Sequence, residues 1–275
     1  MRVLLATDGS ERALTAARFL SGFPHRREVY VHILTVADSE RPSEASAALT
    51  AAKAALGEFA GHITTAVGRG DSASGIVGTI LDTADYTDAD LIALGASGKS
   101  ALARFFLGSI AEAVSRYAEQ SILLTRPPVG PLRSVVLGAD GSEEAGNALR
   151  FLISELWHPS AVLHLVRAIP SGGRPPEELS RETDAAKTCL AEMAETARAG
   201  GLTVGVCETP LGNPAMEILR VAEEQGAGLI VVGSQGLTGV DAFRLGSVAE
   251  RLLRHAPMSV LVVKRIPTLS ELAAV

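Results

Sequence analysis

Two stretches of this chain repeat each other in residue type and in spacing. Leu229-Ile230-Val231-Val232 runs into Gly233-Ser234-Gln235-Gly236, and nine residues later Gly246-Ser247 precedes a helix-like segment from Val248 to His255. Leu91-Ile92-Ala93-Leu94 runs into Gly95-Ala96-Ser97-Gly98, and after another nine residues comes Gly108-Ser109. An apolar run closed by glycines reads as a buried strand whose end turns tightly, with no side chain to keep a ligand from the backbone. Gly-Ser at the head of a helix leaves backbone N–H groups and the positive end of the helix dipole facing outward, which suits an anion. The two devices together predict a loop pair that holds a polyphosphate, and its double occurrence predicts two scaffolds.

The rest of the chain repeats with it. Val3-Leu4-Leu5-Ala6-Thr7-Asp8-Gly9-Ser10 matches Val135-Val136-Leu137-Gly138-Ala139-Asp140-Gly141-Ser142, and His32 in Val31–Leu34 matches His164 in Val162–Leu165. The glycine loops match at a slightly larger offset, so a net insertion separates the second strand from the loop. A unit of this length is a duplicated domain, not a solenoid repeat. Residues 1–127 and 133–275 are the expected domains, with 128–132 as a stiff, Pro-rich linker that favours packing of one on the other.

Each half alternates strands with helices. In the first, strands are expected over about 2–7, 28–36, 63–67, 90–94 and 121–125, with helices near 10–20, 43–59, 72–86 and 109–118. In the second, strands fall near 134–139, 161–168, 202–208, 228–232 and 259–263, with helices near 142–156, 176–199, 214–225 and 247–255. Alternation of this kind builds right-handed βαβ units and a parallel sheet covered on both faces. The composition agrees: 47% of residues are hydrophobic and only 4% aromatic, so Ala, Val, Leu and Ile must build the core. Ligands of such sheets bind beyond the carboxyl ends of the strands, where the strand order reverses. Asp8 and Gly95, like Asp140 and Gly233, are expected at those ends.

Several functions are disfavoured. The net charge of −6 and the absence of a long Lys/Arg run argue against a nucleic-acid partner. No apolar run reaches the ~18 residues of a membrane span, and Met1-Arg2 leads directly into a strand rather than a signal peptide. A cytoplasmic protein is the expectation. Cys189 and Cys207 form no metal motif and are expected as small buried or half-buried residues. His32 and His164 are expected as hydrogen-bonded core residues. Ala93–Ser100 satisfies a relaxed Walker A pattern, but the second half has no Lys equivalent to Lys99, so a P-loop is not inferred. No nucleophile elbow or repeated general base accompanies the loops.

The Gly-x-x-Gly loop, its nine-residue gap, Gly-Ser, the first-strand Asp-Gly-Ser and the second-strand histidine together resemble the universal stress protein family over nearly the whole chain. The resemblance implies two tandem doubly wound α/β domains, each a five-stranded parallel sheet in the order 3-2-1-4-5, and ATP as ligand. It implies that Asp8 and Asp140 stand near the ribose and phosphates, with a Mg²⁺ or Mn²⁺ ion bridging. A carboxylate facing a polyphosphate needs such a cation between them. It places the backbones of Ile33 and Leu165 against adenine and has Ala6 and Gly138 line the base. Phosphate contacts fall to Gly95, Ser97, Gly98, Gly108, Ser109 and Ile110, and to Gly233, Gln235, Gly236, Gly246, Ser247 and Val248. Two ATP sites and an internal pseudo-dimer along the fifth strands follow, and a further homodimer of tandem chains stays open. The expected function is a nucleotide-dependent regulator or sensor in the stress response. The alternative is a slow ATPase or ATP-using transferase of the same fold.

Overall fold

A computed structural model describes residues 1–22, 28–37, 42–59, 61–97, 107–155, 160–236 and 245–264. The first half runs β1 (Arg2–Ala6), α1 (Leu14–Ser21), β2 (Tyr30–Ala37), α2 (Pro42–Leu56), β3 (His62–Arg69), α3 (Ala73–Tyr86), β4 (Leu91–Gly95), α4 (Ser109–Tyr117) and β5 (Ser121–Thr125). The second runs β6 (Ser134–Gly138), α5 (Glu143–Ser154), β7 (Val162–Val166), α6 (Pro176–Ala199), β8 (Thr203–Glu208), α7 (Pro214–Glu224), β9 (Leu229–Gly233), α8 (Ser247–His255) and β10 (Ser259–Val263).

Local chemistry sets the boundaries. Ser72 and Ser142 cap α3 and α5 by accepting the N–H groups of Gly75 and Ala145. Asn213 caps α7 through Met216 N–H, with Pro214 at the first helical position. Ser10, expected to open α1 directly, instead accepts Ala13 N–H at 3.2 Å and caps a preceding turn; the α-helix begins at Leu14. The second half's insertion falls on α6, which has 24 residues against 15 in α2.

The strands form one sheet of ten, in the order β3-β2-β1-β4-β5-β10-β9-β6-β7-β8. Each half keeps the order 3-2-1-4-5, and every neighbour within a half is parallel. An antiparallel junction joins β5 to β10, with Leu123 opposite Leu261. The fifth strands were expected to carry an internal pseudo-dimer, and Ser121–Thr125 does meet Ser259–Val263. The halves fuse there because β5 and β10 are buried along their whole length and would otherwise leave open edges.

The side chains of alternate strand residues divide into two cores. One packs under α1, α2, α5 and α6, from Leu5, Phe19 and Ile33 through Leu137, Leu152 and Leu165. The other packs under α3, α4, α7 and α8, from Leu4 and Ile92 through Ile122, Ile218 and Val262. Both run across the junction of the halves.

A pseudo-twofold pattern marks that junction. Arg254 contacts Glu112 at 2.6 Å and Arg116 contacts Glu250 at 3.2 Å, each pair bridging α4 and α8. Ser259 Oγ accepts Arg126 N–H and Ser121 Oγ accepts Lys264 N–H, both at 3.2 Å. Arg126 then donates from Nη2 to Leu253 O at 2.6 Å, and Lys264 from Nζ to Ser115 O at 2.9 Å and Ala118 O at 2.6 Å. Each half thus sends a cation into the carbonyl end of the other half's last helix, where the dipole favours positive charge.

Candidate functional site

In the second half the sheet order reverses between β6 and β9. Their carboxyl ends open into a cavity of about 1070 Å³, ample for a nucleotide. Its walls bring together Gly138, Asp140, Gly233, Gln235, Gly236, Gly246, Ser247 and Val248, all expected from the sequence. The N-termini of three helices line it: α5 at Ser142, α7 at Asn213 and α8 at Ser247. No helix start finds acceptors within its own helix for its first N–H groups, so the cavity collects oriented donors.

The loop glycines have distinct physical reasons. At Gly236 an added Cβ would lie 2.4 Å from Asp140 Oδ2, so the carboxylate and the glycine loop meet across the crevice. Gly246 donates its N–H to Ser234 O at 2.7 Å and is held against the loop. Gly233 is different. Its Cβ would stand 2.7 Å from Glu144 Cβ and 2.9 Å from Glu144 C, so it is small to admit the start of α5. Gly95 repeats this, with Arg12 O 2.4 Å from the Cβ position. The first glycine of each loop therefore serves helix-on-strand packing, whatever else it touches.

Asp140 Oδ1 accepts the N–H of Ser142 at 2.9 Å and its Oγ–H at 2.5 Å. Asp8 Oδ1 accepts Ser10 N–H at 3.0 Å. Both carboxylates thus shape the turn between first strand and first helix. No group of three or more His, Cys, Asp or Glu able to hold a metal occurs among the described residues. A divalent ion at Asp140 would need ligand oxygens to complete its shell.

The remaining expected residues divide. Leu165, expected to offer its backbone, has its side chain fully buried in the core cluster with Leu163 and Leu149; the cavity lining includes Arg167 and Ala168, two residues further on. Ile33 is likewise fully buried. Ala6 and Ser97 are buried near the ends of β1 and β4, while Gly108 caps α4, opened by Ser109 and Ile110. Gly98, with Lys99 and Ser100, lies outside the described residues.

His164 and His32 are both hydrogen-bonded. His164 is buried at a register shift between β7 and β8, where its Nδ1 accepts Val206 N–H at 3.2 Å. His32 is only half-buried, with Nδ1 2.7 Å from Thr64 Oγ1. Cys207, expected to be at least partly buried, is exposed on β8, the last strand in the sheet order among the described residues. No described helix is long and apolar enough to cross a membrane.

Sequence reading missed Arg167. Its guanidinium lies over the Asp140–Ser142 turn, with Nη1 2.8 Å from the Gly141 Cβ position, and it lines the cavity. The available signal was a lone charge directly after a buried parallel strand, Val162–Val166.

Fold and site together define a doubly wound α/β protein with an open crevice at its topological switch point. Comparison with known proteins narrows this. The sequence model of the universal stress protein family matches residues 1–126 and again 131–264, and the chain belongs to that family. A universal stress protein of Methanocaldococcus jannaschii is 33% identical over 141 residues, covering 48% of this chain and 82% of that one. The crystal structure of a universal stress protein from Archaeoglobus fulgidus superposes with a TM-score of 0.69 at 23% identity, over 96% of this chain and 98% of that chain. One from Pseudomonas aeruginosa gives 0.68 at 22% identity, over 95% and 92%. At these identities the solved structures speak for the fold.

Proposed function

We propose that this protein is a nucleotide-binding regulator of the cytoplasm, acting in the stress response, whose ligand is ATP. The carrying observation is the cavity at the β6/β9 switch point, where the Gly233–Gly236 loop, Asp140 and the α8 N-terminus converge. The oriented N–H groups of Ser247 and Val248 suit a phosphate. Asp140 Oδ2, facing Gly236, suits a Mg²⁺ shared with the phosphates, which would supply charge neutralisation.

The reading is of a binder rather than an enzyme. Asp140 is tied by two hydrogen bonds to its own turn, where it accepts the Ser142 N–H and Oγ–H beside a helix cap that also holds Ala145 N–H. A slow ATPase or transferase is the competing class.

The test is to titrate the purified chain with Mg-ATP by calorimetry and to identify the nucleotide after hours of incubation. Saturable binding of intact ATP is expected. Turnover above about 1 s⁻¹ would move the protein into the usual enzyme range. Gly236→Val should abolish binding at this cavity, because the branched side chain would enter the space between loop and Asp140; unchanged binding would show the loop to be only a turn.

A further inference from the structure

The two halves carry the same loops in different surroundings. At Gly141 the space above the turn holds the Arg167 guanidinium. At the matching Gly9 it holds helix α2: a Cβ would meet Ala48 Cβ at 2.7 Å and Ala48 Cα at 2.8 Å. The position of Arg167 is taken in the first half by Thr35, which is 3% exposed and donates to Thr7 O at 2.6 Å.

The glycine loops differ in the same sense. In the first half Arg12 Nη1 donates to Ser97 Oγ at 3.2 Å, and Ala96 and Ser97 are only 6% and 7% exposed. The counterpart of Arg12 is Glu144, whose Cβ packs on Gly233 and sends no cation to the loop. Ser234 and Gln235, the counterparts of the buried pair, are half-exposed on the cavity wall. Arg167 is also without a carboxylate partner among the described residues, in a molecule where Arg174, Arg220 and Arg254 each have one.

We propose that the halves are functionally unequal: each chain holds one nucleotide, in the second half, with Arg167 pairing to an anionic group of that ligand. The first half is a self-occupied counterpart, its turn roofed by α2 and its loop engaged by Arg12. The sequence predicted two sites because the repeat shows what the halves share. Arg167, Arg12 and Ala48 lie where they do not. A guanidinium left unpaired over a turn beside helix N-termini is suited to phosphate oxygens, which it can bind through two parallel hydrogen bonds.

This rests on the nucleotide reading above, and one set of titrations separates the two. The full chain and its Arg167→Gln variant are titrated with ATP and with adenosine, and the stoichiometry and both affinities are read. One ATP per chain is expected, with ATP binding weakened about tenfold or more by Arg167→Gln and adenosine binding little changed. Two ATP per chain would overturn the inequality of the halves while leaving nucleotide binding intact. Equal losses for ATP and adenosine would overturn the ionic role of Arg167. No binding of either ligand to the unaltered chain would remove the parent reading itself. A thermal melt of Arg167→Gln matching the parent confirms that its half-buried position is not structural.

Discussion

At the scale of single residues, glycines that look alike in sequence separate by what a Cβ would meet. Gly233 faces Glu144 Cβ and backbone, which cannot retreat without moving α5. Gly233→Ala is therefore expected to destabilise the chain by about 1–3 kcal/mol, as overpacking does, read as a lowered urea midpoint with an unchanged slope. Gly236 faces only the far end of the Asp140 side chain, so its substitution acts on the crevice more than on the core. The sequence gives both positions one letter and one spacing. Only the approach of α5 to one of them distinguishes a packing glycine from a site glycine.

Elements show how local pairing rules are bent to local chemistry. The β7–β8 ladder shifts register between Leu163 and Leu165, and the ring of His164 replaces a carbonyl as acceptor for Val206 N–H. Gly205 makes room, since a Cβ there would be 2.6 Å from His164 Cε1. Burial lowers the His164 pKa below its ordinary 6.5, against a smaller opposing pull from Glu208. The folded chain thus binds this proton less readily than the unfolded chain. The stability contributed is present above pH 6.5 and is lost as pH falls below it. Protonation at Nδ1 also removes the acceptor. Urea titrations between pH 7 and 5 should show a fall in stability that His164→Gln makes shallower; parallel profiles would place the acid sensitivity elsewhere. The histidine's hydrogen bonding was readable from its place in an apolar strand, whereas the register shift was not, because it depends on which strand lies alongside.

For the whole molecule, the question is what makes two halves one structure. The surface pairs Arg254–Glu112 and Arg116–Glu250 are substantially exposed, and such pairs contribute about 0–1 kcal/mol each. The larger contributions come from the β5–β10 ladder and the two continuous cores. Arg126 is 3% exposed, and burial pushes its pKa down to about 10; Lys264 is pushed down to about 8 for the same reason. Both are retained where helix carbonyls receive them. Arg126→Ala should cost about 2–4 kcal/mol, from the void it leaves and the carbonyl of Leu253 it abandons. Arg126→Met, which fills the void, should cost less. Denaturation of the two variants checks the order, and equal stability of Ala and parent would assign the junction to the ladder alone.

The sequence by itself determined the alternation of strands and helices, the duplication, the strand order implied by the family resemblance, and the glycine loops with their helix starts. These are periodic or short-range properties, carried by apolar runs, turn glycines and caps within a few residues of one another. Only the tertiary structure decided that the fifth strands meet as an antiparallel ladder with Leu123 opposite Leu261, that Arg126 and Lys264 cross between halves, and that Arg167 and α2 take corresponding places over Gly141 and Gly9. Those contacts join residues more than twenty positions apart, and no local pattern records them. A duplicated sequence states what two halves have in common; the packing of its non-repeated residues sets them apart.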